Sequence, residues 1–169
     1  MKSKKIGLRF GILLLSAMVL PAGLSAKAMV SVEGNISAIN GTKIELFNGL
    51  VKFEALGARI DTEDPNFKNI SDLKIGTFID VEVEVDRDGA LHATLIEVSN
   101  EKDQVPEVGG VIGSVDAAAQ TFTIGPLTIS FNSQTKYKDL SGLRTGVPVE
   151  ARVSFASGKL VAEFIEKDE

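Results

Sequence analysis

The chain has no cysteine, no tryptophan, one tyrosine and a single histidine, His92. Lack of cysteine excludes disulfides, thiolate metal sites, a cysteine nucleophile and a lipid-anchored N-terminal cysteine. Stability must therefore come from core burial alone. A lone histidine removes multi-histidine metal sites and two-histidine relays. So few tryptophan and tyrosine side chains leave few of the usual anchors for sugars or stacked bases. Beyond the first twenty or so residues there is no long apolar run.

That first stretch has the order of a secretory signal. Lys2, Lys4, Lys5 and Arg9 come first, then an apolar run over 10–20, then Pro21 and Gly23, then Ala26-Lys27-Ala28. Basic, apolar and small-x-small regions follow each other as a signal peptidase requires. The apolar run is shorter than the roughly 20 residues of a spanning helix. Cleavage is expected after Ala28, giving a signal peptide over 1–28 and a periplasmic or secreted product with no membrane insertion. The five basic residues of the leader leave with it, so 13 of the 18 basic residues remain against all 23 acidic ones. An acidic mature chain disfavours phosphate backbones and anionic lipid as partners.

Self-comparison shows a duplication. Residues 32–39 reappear as 108–115, and Leu73-Lys74-Ile75-Gly76 as Leu143-Arg144-Thr145-Gly146. Gly89, Leu91, Ala93, Ile96 and Glu97 reappear as Gly158, Leu160, Ala162, Ile165 and Glu166. The first module spans 29–99, a linker 100–107 and the second module 108–169. The first copy carries an extra segment near 58–65.

Each copy reads as strands and turns. In the first, strands are expected over 30–39, 42–47, 50–56, 78–86 and 90–98, with a short helix over 66–73. Asn40-Gly41, Asn48-Gly49 and Asp88-Gly89 are hairpin signals. Along 78–86, Ile79, Val81, Val83 and Val85 fall on one face, and Asp80, Glu82, Glu84 and Asp86 on the other. Strict alternation marks a strand with one face on a core and one in water. The closing strands break that parity. Leu91 and Ala93 oppose Ile96 and Val98, and Leu160 and Ala162 oppose Ile165, so a bulge is expected near Thr94-Leu95 and near Glu163-Phe164. Three strands, a short helical connection and two more strands is the element order of the OB-fold barrel. An all-β pair of small five-stranded OB-like barrels is therefore expected, with a meander or open sandwich as the alternative. At roughly 65 residues each copy lies near the lower limit for an independent core, so the two are expected to pack together.

An opening Gly-x-Ile/Val-x-x-Ile/Val strand, a Leu-x-x-Gly ahead of alternating valine and acid, a turn glycine, and a closing Leu-x-Ala-x-x-Ile-Glu recur in order. Here they are Gly34 to Ile39, Leu73 to Val83, Gly89, and Leu91 to Glu97, repeated in the second copy. This pattern resembles the exported bacterial family catalogued as domain of unknown function 5666, and covers nearly all of the mature chain. The resemblance implies an exported β-barrel module, often in tandem, and supplies no catalytic residues. Pro148 departs from it. Proline in the fourth strand of copy two implies an edge or an interruption there.

Catalytic chemistry finds little support. A serine triad would have to use His92, yet no Gly-x-Ser-x-Gly elbow exists, and copy two has Val161 in its place. Glu82 and Glu84 share a strand face, so a carboxylate-dependent hydrolase is conceivable. It would need a cleft and one acid with a strongly raised pKa. Copy two has Arg152 and Ser154 at those positions, and the acidic row reads as a solvated face. Asp86-Arg87-Asp88-Gly89 is better explained as a hairpin turn than as the start of a calcium loop. Asp61, Glu63 and Asp64 are the candidates for weak calcium binding, on carboxylate density alone. Nucleic-acid binding by fold analogy is disfavoured, since the first copy holds 6 basic against 13 acidic residues and the second, with the linker, 7 against 10. Phe47 and Phe53 read as core or cover rather than a stacking platform. The sequence thus indicates a non-catalytic envelope module that binds or supports an unknown envelope protein or small ligand, with no cofactor.

Overall fold

The computed structural model describes residues 28–62, 64, 67–98 and 104–168. Residues 1–27 of the leader, Glu63, Pro65, Asn66 and the first half of the linker lie outside the described residues. The chain is all-β. Copy one contributes β1 (Ala28–Asn40), β2 (Lys43–Leu46), β3 (Val51–Glu54), β4 (Arg59–Asp61), β5 (Phe78–Val85) and β6 (Leu91–Val98). Copy two contributes β7 (Glu107–Asp116), β8 (Thr121–Ile124), β9 (Leu127–Ser130), β10 (Lys136–Lys138), β11 (Pro148–Ala156) and β12 (Lys159–Lys167). Ala28, the last residue of the expected leader, forms the end pair of β1 with Val85. β7 starts at Glu107, the last residue of the expected linker.

The two copies share one topology. In copy one, β1 pairs β2, β2 pairs β3, β3 runs parallel to β6, and β6 and β1 both pair β5. In copy two, β7, β8, β9, β12 and β11 repeat that circuit. The Leu-x-x-Gly motif explains one corner of it. The Gly76 N–H donates to the Ile36 carbonyl at 2.8 Å, and the Gly146 N–H to the Ile112 carbonyl at 2.8 Å. Both glycines sit at positive φ, 88° and 84°, where a side chain would be strained.

Both expected bulges are present. Val83 pairs Ala93 and Glu82 pairs Leu95, leaving Thr94 as the extra residue. Val153 pairs Ala162 and Arg152 pairs Phe164, leaving Glu163. The extra residue turns both parities inward, so Leu91, Ala93 and Ile96 are all buried, as are Leu160, Ala162 and Ile165. A second pair of bulges, at Ser37 and Gly113, bends β1 and β7 where each passes from one partner to the next. Ile96→Ala should therefore cost about 2–5 kcal/mol, the range for a fully buried aliphatic truncation. A urea midpoint shift worth less than about 1 kcal/mol would place Ile96 outside the core.

Several details differ from the sequence expectations. No α-helix forms over 67–73, the described part of the expected helix, which holds one 3-10 turn, Ile70–Asp72, with a capping box between Asn69 and Asp72. So short a segment cannot offset the cost of helix nucleation. The Asn48-Gly49 hairpin is wider than two residues, because Phe47, Asn48 and Gly49 all adopt positive φ. The segment thought extra in copy one contains β4, and copy two has its counterpart in β10. Ile60 pairs Ile96 just as Tyr137 pairs Ile165. The added length falls later, between β4 and Leu73. Pro148 neither interrupts β11 nor makes it an edge: it is the first residue, where the missing donor is tolerated, and β11 pairs both β7 and β12.

The copies are not separate. β1 pairs β7 antiparallel from Val30↔Gly110 to Glu33↔Glu107, and the twelve strands form one sheet. Val32 lies opposite Val108, its own repeat equivalent, so the joint is a two-fold contact between like strands. β2 covers only the C-terminal half of β1, which leaves the first half an open edge, and the equivalent half of β7 fills it. The buried apolar residues of both copies make one continuous cluster.

Candidate functional site

The joint carries an acidic row. Cross-strand partners share a sheet face, so the register alone lines up Asp61 on β4, Glu97 on β6, Asp80 on β5, Glu33 on β1 and Glu107 on β7. Arg152 on β11 continues the row, with its Nε 2.9 Å from a Glu107 carboxylate oxygen and its guanidinium 5.2 Å from the Phe164 ring centre. Arg59 lies 3.6 Å from Asp61 at the other end. Arginines thus neutralise both ends of the row.

The middle is different. Asp80 is only 9% exposed, and its Oδ1 is buried without a hydrogen-bond partner. Burial, followed by the charges of Glu97 and Glu82, pushes its carboxyl up to about 7. Burial, followed by the charges of Asp80 and Glu107, pushes Glu33 up to about 8. Glu97 and Glu150 are raised too, first by burial and then by neighbouring carboxylates, with Arg59 and Arg152 opposing in turn. The acidic face of β5 is therefore not uniformly solvated, as its alternation suggests. The second copy extends the sheet beyond β1, and the charges of its Glu107 and Glu150 raise both central carboxyls further.

Raised carboxyls are what a hydrolase reading asks for, but two-carboxylate catalysis needs neighbours whose pKa values are driven apart. Here both central acids move upward together. The arrangement makes it costly to ionise both at once.

Of the residues singled out for metal, Asp61 and Asp64 are among the described ones. Asp61 belongs to the row and pairs with Arg59. Glu63 lies outside the described residues. The Asp64 N–H donates to Thr62 Oγ1 at 3.0 Å, and its carbonyl accepts the Phe67 N–H. Among the described residues no three such ligands gather to hold an ion. Asp86 caps the β5–β6 turn: its Oδ1 accepts the N–H groups of Asp88 at 2.9 Å and Ala90 at 2.8 Å, which hold its carboxyl below the usual range. His92 is exposed on β6, with Nε2 3.3 Å from Asp86 Oδ2. Phe53 is in the core. The Phe47 ring lies over Gly34, where a Cβ would stand 3.0 Å from its Cζ. The two rings make no stacking platform. A shallow groove of about 370 Å³ runs from Leu50 of copy one along Pro126, Leu127 and Leu160 of copy two.

Alternation places Asp80 on a face but does not name its neighbours, and nothing local marks Glu33, Glu107 or Glu150. The missing signal was register between strands distant in sequence.

Fold and joint together define a tandem all-β protein whose two like modules share one sheet. Residues 33–97 and 109–166 match the family described as Domain of unknown function (DUF5666). The chain belongs to that family, in two copies. No curated protein and no solved structure matches it.

Proposed function

We propose that this is an exported, non-catalytic protein of the cell envelope, a binding or structural module built from two OB-type barrels. The observation that carries the reading is the contrast between what the copies share and what they do not. Shared positions are scaffold: Gly76 and Gly146, the bulges at Thr94 and Glu163, Ile96 and Ile165. Positions with chemical potential diverge, as His92 against Val161 and Glu82 against Arg152. A duplicated scaffold with unlike surfaces suits recognition or support better than repeated chemistry. The 1-2-3-5-4-1 strand circuit, counting the five main strands of each copy, supports the OB assignment.

Export rests on the basic, apolar, small-x-small order of the leader. With the full chain expressed in a bacterium and a tag at its C-terminus, the mature mass should correspond to cleavage after Ala28, in the periplasm or medium. An uncleaved product retained in the cytoplasm would remove the envelope role. Crosslinking from the same fraction should then capture one recurrent envelope partner.

A further inference from the structure

We propose that the joint between the two copies is a proton-operated clasp, in which the carboxyl groups of Glu33 and Asp80 hold the β1–β7 ladder closed while protonated and loosen it when both are ionised. The inference concerns this chain's own joint and does not depend on the envelope reading.

The geometry is specific to the joint. The ladder from Val30↔Gly110 to Glu33↔Glu107 is short, and Glu33 faces Glu107 across it and Asp80 across β5. Like charges directly opposite on neighbouring strands destabilise the pairing. Asp80 cannot escape into water, since it is 9% exposed with a buried, unpartnered Oδ1. A proton on either carboxyl removes the repulsion between the two.

The surrounding charges do not cancel the effect. On the copy-one side, β5 adds Glu82, β6 adds Glu97, and β4 adds Asp61 with its partner Arg59. On the copy-two side, Arg152 is engaged by Glu107 at 2.9 Å, while β11 adds Glu150. Glu150 in turn faces Glu166 and Asp168, and Lys138 is drawn to Glu166 at 2.8 Å. Both arginines therefore sit at the ends of the row, and the centre is left with acids.

The sign follows from linkage. The folded carboxyls ionise near 7 for Asp80 and 8 for Glu33, against 3.8 and 4.5 as ordinary values. The closed joint binds more protons than the open one, so its stability is fully present below the ordinary values and is lost as pH rises through 7 and 8.

The test is amide exchange by NMR on the full chain at pH 6 and pH 8.5, expressed as protection factors. Protection of the β1–β7 ladder should fall by about tenfold or more, while the β8–β9 ladder within copy two holds. In Glu33→Gln and Asp80→Asn that fall should flatten. No fall, an equal fall in β8–β9, or an unchanged fall in both variants would overturn the clasp. Should a variant fail to fold, the comparison of the two ladders in the natural chain decides alone.

Discussion

Val83→Asp is expected to abolish the cooperatively folded state or to lower its thermal midpoint by well over 10 °C. Val83 is fully buried on β5, between Val30 of β1 and Ala93 of β6. A carboxylate there meets only apolar neighbours and costs several kcal/mol. That is a large part of the 5–15 kcal/mol that holds a typical domain together. For a chain of this size each kcal/mol is worth about 2–4 °C. Val83→Ala separates the terms, because it leaves a cavity without a charge. Circular dichroism melts of both variants should show the aspartate far lower. Equal midpoints would mean that the side chain reaches water and the inward face is misassigned.

Gly110→Val should act at the joint itself, lowering stability by about 2–5 kcal/mol through overpacking and backbone strain. Gly110 has φ +145°, and a Cβ there would stand 2.8 Å from Ile124 Cγ2 and 3.2 Å from the Met29 carbonyl oxygen. One obstacle is backbone of the other copy, which can move only if the ladder opens. Gly34, its repeat equivalent, makes the useful control. A Cβ at Gly34 meets only the half-buried Phe47 ring, at a φ that a side chain adopts without strain. Gly34→Ala should thus be mild, since the ring can shift by a few tenths of an ångström. Urea denaturation of the pair checks this, and equal losses would show that Gly110 has no special role in docking.

Legibility in the sequence was highest where a pattern is local. Alternation along β5 identified Val81 and Val83 as interior. The parity break from Leu91 to Ile96, repeated from Leu160 to Ile165, located both bulges to the residue or its neighbour. It was lower where an element depends on a long-range partner. β4 and β10 are three residues each, too short for periodicity, and exist because β6 and β12 offer them an edge. The expected helix before Leu73 failed for a local reason: so short a segment cannot offset the cost of nucleation, and only the turn Ile70–Asp72 forms.

The amino-acid sequence by itself determined the duplication, the all-β class, the inward faces of β5 and the two closing strands, and the family, because these rest on spacings of two to about seventy residues along one chain. Only the tertiary structure decided that the copies join by their first strands. An open strand edge looks the same in sequence whether water, another chain or its own repeat will cover it. That choice added Glu107 to an acidic row that registers within copy one had already begun. Glu33, Asp80 and Glu107 are ordinary surface acids in three separate strands until the β1–β5 and β1–β7 registers set them side by side, and burial then raises the cost of ionising the two at the centre.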